Sequence, residues 1–307
     1  MLRTIIILIA CLLIIPVVAF RFDAPLEETQ WEALITMIQL MLGVGVSCFI
    51  VSEITRNCSQ VDKLWSIIPI VYVWYFAAQA QFNDRMVLMA ILVTLWGARL
   101  TFNFMRRDGY SWIPWKGEED YRWNVLRKTP LLSSRWAWAA FNLFFISLYQ
   151  NSLILSFTLP IVVAWQGADT PINAIDIVAS ILLLTCLVIE TVADQQQYDY
   201  QTEKYRLKNN NEPLTGIYAK GFTHTGLWAK VRHPNYAAEQ AIWVCFYLFS
   251  VAATGRWLNW SLTGAILLML LFLGSSDFSE KISAEKYPDY QDYQKKVPRF
   301  LPFKWLA

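Results

Sequence analysis

Histidine is almost missing from this chain. His224 and His233 are the only two in 307 residues, too few for a histidine-rich iron site. The five cysteines (Cys11, Cys48, Cys58, Cys186 and Cys245) are scattered and form no CxxC pair. Neither a disulfide framework nor a zinc centre is indicated, and no metal site is expected. The chain also has no GxGxxG and no phosphate-loop motif, so any nucleotide would be held without a Rossmann domain. Charge is scarce as well: 16% of residues are charged and the net charge is +2. The charges are not clustered as nucleic-acid binding requires, and nucleic acid is not an expected partner.

Apolar residues fill the space. They make up 56% of the chain, with 15 Trp, a composition that suits a bilayer better than a soluble core. A helix needs about 20 apolar residues to cross the hydrocarbon layer. Runs near 4–20, 31–52, 64–81, 86–105, 137–160, 173–193, 236–253 and 257–275 meet or approach that length. They predict an all-α, polytopic membrane bundle of about eight transmembrane helices, or seven if the first is cleaved. Arg3 followed by an apolar run resembles a signal peptide, but no small-x-small cleavage site follows, so a retained helix is expected. Pro160 is expected to kink or end the fifth span.

Counting Arg99 with its nearer end, 23 Lys and Arg fall on the side of the amino terminus in this topology, against Arg21, Arg85 and Arg256 on the other. The positive-inside rule then places both termini and the long loops in the cytoplasm.

Polar residues near the spans collect at that same side. They are Glu53, Asp62 and Lys63, Arg99 with Asn103, Asn142, Glu190, Asp194, Asn235, Glu239 and Gln240, while Gln150 and Asn151 lie deeper. A charge within a span costs about 2.5–3.5 kcal/mol near the centre on insertion scales, which makes each one a functional candidate. Capping or snorkelling accounts for Glu53, Lys63 and Asn142. It suits Glu239 less, because that residue lies more than a turn inside its helix. Glu190, Asp194, Gln197, Gln201 and Lys204 share one helical face. Solvent explains its outer half, and a ligand-facing role is expected of the inner half.

Pro234 suits a first helical turn, where its missing N–H costs nothing. The helix would begin with free amides and its positive dipole end beside Arg232 and His233, a place fit for phosphate or carboxylate. An ordinary helix start with basic flanks has the same composition. Trp112, Trp115, Trp123 and Trp136 punctuate the charged loop 106–136, as in a segment anchored in the headgroup layer.

These residues carry a resemblance. Gly226-Leu227-Trp228, Arg232-His233-Pro234-Asn235-Tyr236, Glu239 and Trp243 are similar to the carboxy-terminal signature of steroid 5-alpha-reductases, sterol reductases and isoprenylcysteine carboxyl methyltransferases. So are Glu280, Tyr287, Tyr290, Tyr293 and Val297-Pro298-Arg299-Phe300-Leu301-Pro302-Phe303. Val61-Asp62-Lys63-Leu64-Trp65-Ser66, Trp96-Gly97-Ala98-Arg99-Leu100-Thr101 and Glu119-Asp120-Tyr121-Arg122-Trp123 look like a branch known by its steroid-5-alpha-reductase-like domain. That domain would span 61–307, after amino-terminal helices in 1–60.

The resemblance implies an NADPH site open to the cytosol, in the endoplasmic reticulum if the source is eukaryotic. Asp194, Gln197, Arg232, His233, Asn235, Tyr236, Glu239, Glu280 and Tyr290 would bind the cofactor. Asp62 and Arg99 would be catalytic, acting on an apolar enone lipid taken from the bilayer. The place of the family's catalytic tyrosine carries Trp96, so Tyr72 or Tyr149 would supply a phenolic proton. The alternatives are an S-adenosylmethionine-dependent methyltransferase and a non-enzymatic lipid-binding bundle.

Overall fold

A computed structural model describes Cys11 and residues 14–111 and 119–302. Most of the first expected span therefore lies outside the described residues, although 14–21 is helical. Trp112, Trp115 and the tail from Phe303 also lie outside them. Among the described residues the chain is all-helical, with no strand.

In order, the helices are α1 (Glu28–Thr55), α2 (Gln60–Leu64), α3 (Ile68–Gln79), α4 (Asp84–Met105) and α5 (Tyr121–Arg127). A long helical run, α6 (Arg135–Gln166), follows. The last four are α7 (Ala174–Asn209), α8 (Pro234–Thr254), α9 (Leu262–Lys286) and α10 (Tyr290–Lys296). Six of the described helices, α1, α4, α6, α7, α8 and α9, are long and apolar enough to cross a membrane.

Local chemistry sets the helix ends. Glu27 opens α1 with a capping box, its backbone N–H donating to Gln30 Oε1 at 3.1 Å, which satisfies amides that have no intrahelical partner. Asn83 caps α4 by accepting from Arg85 N at 3.1 Å, and Ser134 caps α6 by accepting from Ala137 N at 3.2 Å. Asn173 and Asp176 do the same for α7, Asn173 N donating to Asp176 Oδ2 and Ile175 N to Asn173 Oδ1, both at 2.9 Å.

The chain divides into two compact units, Met1–Ile181 with Trp243–Leu270, and Leu182–Ile242 with Leu271–Ala307. In the first unit α6 packs against α1, α3 and α4. The most apolar stretch of α6 is 83% buried, against 28% for α1, so α6 is the core and α1 forms a wall. Gly264 of α9 lies against the Ser156 carbonyl of α6, where an added Cβ would collide with backbone. Ile177, Val178 and Ile181 on α7 are exposed, an apolar stripe that lipid would cover.

Two of the three arginines predicted on the basic-poor side sit in ion pairs within this unit. Arg85 is 1% exposed and binds Asp176 through Nε–Oδ1 at 2.8 Å and Nη2–Oδ2 at 2.9 Å. It also donates to the carbonyls of Thr170 and Pro171, each at 2.9 Å. Arg256 pairs with Asp23, whose other oxygen accepts from Trp260 N at 2.7 Å.

Two expectations about the spans change and a third is met. The third span, expected over 64–81, is helical in α3 for only 12 residues, about 18 Å against a hydrocarbon core of about 30 Å. The fifth is interrupted at Leu159-Pro160, as expected. The helix turns at Leu159 and restarts with Pro160 in its first turn, continuing to Gln166, because an N–H is dispensable there. Ahead of it, Asn142–Tyr149 is π-helical. The eighth starts at Leu262 rather than 257, because Asn259 folds the preceding residues into a turn. Its side chain donates to Ser250 Oγ at 2.9 Å and accepts from Ser261 Oγ at 2.6 Å.

Candidate functional site

The expected site residues fall into both units. In the second unit, Glu280 on α9 gathers the signature. Its Oε1 accepts from Arg232 Nε at 2.7 Å and from His233 Nε2 at 2.8 Å. Its Oε2 accepts from Gln294 Nε2 at 2.8 Å and from Arg232 Nη2 at 3.3 Å. An ionised carboxylate only accepts, so His233 carries its proton on Nε2. The His233 ring stacks on Tyr236, centroids 5.2 Å apart at 14°.

The backbone follows the same plan. Arg232 N donates to Pro298 O at 2.8 Å and His233 N to Arg299 O at 3.0 Å. The tail thus pairs with the residues that open α8, and Arg299 reaches Asp277 at 2.7 Å. Arg232 Nη1 donates to the carbonyls of Gln294 and Val297. The guanidinium is therefore largely engaged within the chain, which suits a residue that fixes the helix start.

One side of α7 completes this cluster. Asp194, nearly buried, accepts from Asn235 Nδ2 at 3.2 Å. Gln197 lies three residues on, and its side-chain oxygen is buried with no hydrogen-bond partner among the described residues. Such an oxygen costs about 1–3 kcal/mol when nothing bonds to it. Gln196 Oε1 accepts from Leu227 N at 2.9 Å, and Trp228 Nε1 donates to Ala193 O at 3.1 Å. Gly226 has φ +62°, and a Cβ there would meet the Gln196 amide at 2.6 Å. That contact explains the glycine of the Gly-Leu-Trp segment. Glu239 is buried in α8. Tyr290 packs with Phe222 and Tyr293 in an aromatic cluster.

In the first unit the three upstream sequence blocks meet. Ser66 and Thr101 share a hydroxyl–hydroxyl hydrogen bond of 2.7 Å. Asp120 N donates to Ser59 Oγ at 3.0 Å. Asp62 on α2 sits beside Ser59, Asp120, Arg122 and Trp123. Burial pushes its carboxyl above the ordinary range and Asp120 pushes it further, with Ser59, Arg122 and Trp123 only partly opposing. Asp120 goes the other way. Burial would raise it, but Arg122, bound at 2.6 Å, holds it below its usual value. Two neighbouring carboxyls are thus pushed apart, one toward acid and one toward base.

Arg99 is partly buried on α4. Asn103, its expected neighbour on that face, accepts from Arg106 Nε and Nη2 at 2.9 and 2.7 Å. Trp96 is fully buried and packs edge-on against Trp243, centroids 4.9 Å apart. The Tyr72 and Tyr149 hydroxyls are buried with no hydrogen-bond partner among the described residues.

Sequence reasoning missed Gln294, Gln196 and Ser59 as partners of these residues. Only their proximity to the quoted blocks hinted at them.

The fold and these clusters define a polytopic helical membrane protein with two buried polar centres. The chain belongs to the family described as protein of unknown function (DUF1295), whose model matches residues 48–297. It is 38% identical over 264 residues to an uncharacterized protein of Schizosaccharomyces pombe, C594.04c, covering 82% of this chain and 74% of the relative. No solved structure matches it significantly.

Proposed function

We propose that the chain is a membrane-embedded, NADPH-dependent reductase of a carbon–carbon double bond conjugated to a carbonyl in an apolar lipid. The observation that carries this reading is the orphaned Gln197 oxygen, one helical turn from the Asp194–Asn235 bond at the start of α8. An amide acceptor, a carboxylate and a helix amino terminus suit the carboxamide, ribose hydroxyls and phosphates of a dinucleotide. The resemblance to steroid 5-alpha-reductases supports the same assignment.

When bound, the cofactor supplies hydride. Asp194, Gln197, Asn235 and Glu239 would hold it, and Glu280 would keep Arg232 and His233 in place at the helix start. Asp62, kept protonated by burial, would donate a hydrogen bond to the substrate carbonyl and stabilise the developing enolate, with Arg99 adding positive charge. Trp96 has no acidic proton, so the phenol of Tyr72 or Tyr149 would deliver the proton to carbon. The substrate would come from the bilayer to a cytoplasm-facing site, in the endoplasmic reticulum if the source is eukaryotic.

The test is ligand-induced thermal stabilisation of the detergent-purified protein, since a ligand of the folded state raises its melting temperature by mass action. NADPH should stabilise it, and Gln197→Leu should weaken that effect. Stabilisation by S-adenosylmethionine alone would replace reduction with methyl transfer. No response to either, or to NADH, would leave a lipid-binding bundle without turnover.

A further inference from the structure

Along one face of α1, between Gln39 and Val51, a groove of about 570 Å³ is lined by Leu40, Gly43, Val44 and Ser47 and bordered by Gln60 and Lys63 of α2. That volume lies within the range of small-molecule sites, about 300–1,000 Å³. The twelve steps from Gln39 to Val51, at 1.5 Å each, give a length of about 18 Å. A single leaflet's share of a hydrocarbon core about 30 Å thick is only slightly less. The groove therefore matches one lipid chain rather than a full bilayer span.

Two further features select the occupant. Gly43 forms part of the lining, and a Cβ there would meet nothing within 4 Å among the described residues. Among the described residues the space above it is open. Lys63 is half-buried and donates to Gln60 Oε1 at 3.4 Å. Burial lowers its pKa, so the ammonium is short of solvation and would gain from an anion.

We propose that this groove binds a long-chain lipid with an anionic head, its chain along α1 and its carboxylate or phosphate at Lys63. The site needs no cofactor and does not depend on the reductase reading.

The experiment uses the full chain in phosphatidylcholine nanodiscs with a fatty acid carrying a mid-chain diazirine and an alkyne, and maps labelled peptides by mass spectrometry. Label should concentrate on residues 39–51. Gly43→Trp should abolish it without lowering the melting temperature, because among the described residues nothing lies where the side chain would project. Lys63→Gln should reduce it about 5-fold, the worth of one partly exposed ion pair at about 1 kcal/mol. This variant keeps the test decisive if Gly43→Trp fails to fold.

Competition with unlabelled fatty acid or with phosphatidic acid identifies the head as carboxylate or phosphate. Label spread evenly over α1, or equal labelling by the corresponding fatty alcohol, would overturn the proposal.

Discussion

Replacing Glu280 by Gln changes one oxygen to NH₂, and its surroundings make that change severe. Four donors converge on the two carboxylate oxygens, from Arg232 twice, His233 and Gln294. Whichever oxygen becomes an amide nitrogen, a donor then faces two donors. The Arg232 charge also loses its partner while remaining buried. Breaking a buried pair from one side costs about 3–5 kcal/mol. Gln294→Ala removes only one donor from the same carboxylate, worth about 1.5 kcal/mol.

The two variants should therefore differ at least twofold in loss of stability. Fluorescence-detected size-exclusion chromatography after heating in detergent would measure both melting temperatures. Glu280→Gln should also weaken stabilisation by NADPH, since Arg232 and His233 are held at the start of α8 by that carboxylate. Equal melting temperatures for the two variants would refute the view that Glu280 neutralises a buried cation.

Asp62→Asn should stabilise the protein near pH 8, and the advantage should shrink as the pH falls toward 4. The native carboxyl keeps its proton to higher pH than the unfolded one. The unfolded state therefore binds fewer protons between the two pKa values, and native stability falls as pH rises through that window. Melting temperatures at several pH values check this, and the same variant should lose turnover. Arg85→Met should cost about 3–5 kcal/mol, because it strands the buried Asp176 carboxylate and two backbone carbonyls. A melting temperature close to that of the unaltered protein would show that the pair is dispensable.

Long apolar runs were readable because lipid solvation demands them, and six of them match helices that could span. Their ends were less readable. The polar spacing from Glu190 to Lys204 showed α7 running past its apolar stretch, but α9 runs on to Lys286, where polar residues carry no hydropathy signal. The π-helical segment at Asn142–Tyr149 was invisible, since its sequence is as apolar as its neighbours and differs only in hydrogen-bond register.

The candidate residues were readable in part. Arg232, His233 and Glu280 were singled out from segments nearly fifty residues apart, and the fold joins them. Gln294 and Ser59 belong to no pattern, and a polar side chain gains meaning only from what folding sets beside it. The Pro234 start of α8 was legible because proline at that position has a local physical reason.

The pairing of Arg232 and His233 with Pro298 and Arg299 bears on the order of synthesis. A ribosome adding about 5–20 residues per second needs roughly 3–13 s to pass from one segment to the other. Until Glu280 is made the start of α8 lacks its carboxylate, and until Pro298 and Arg299 are made it lacks its backbone partners. The nascent protein is then exposed to quality control, and a chain stalled within the 48 residues before Glu280 would carry a stranded arginine by which a membrane chaperone or protease could tell it from a finished one.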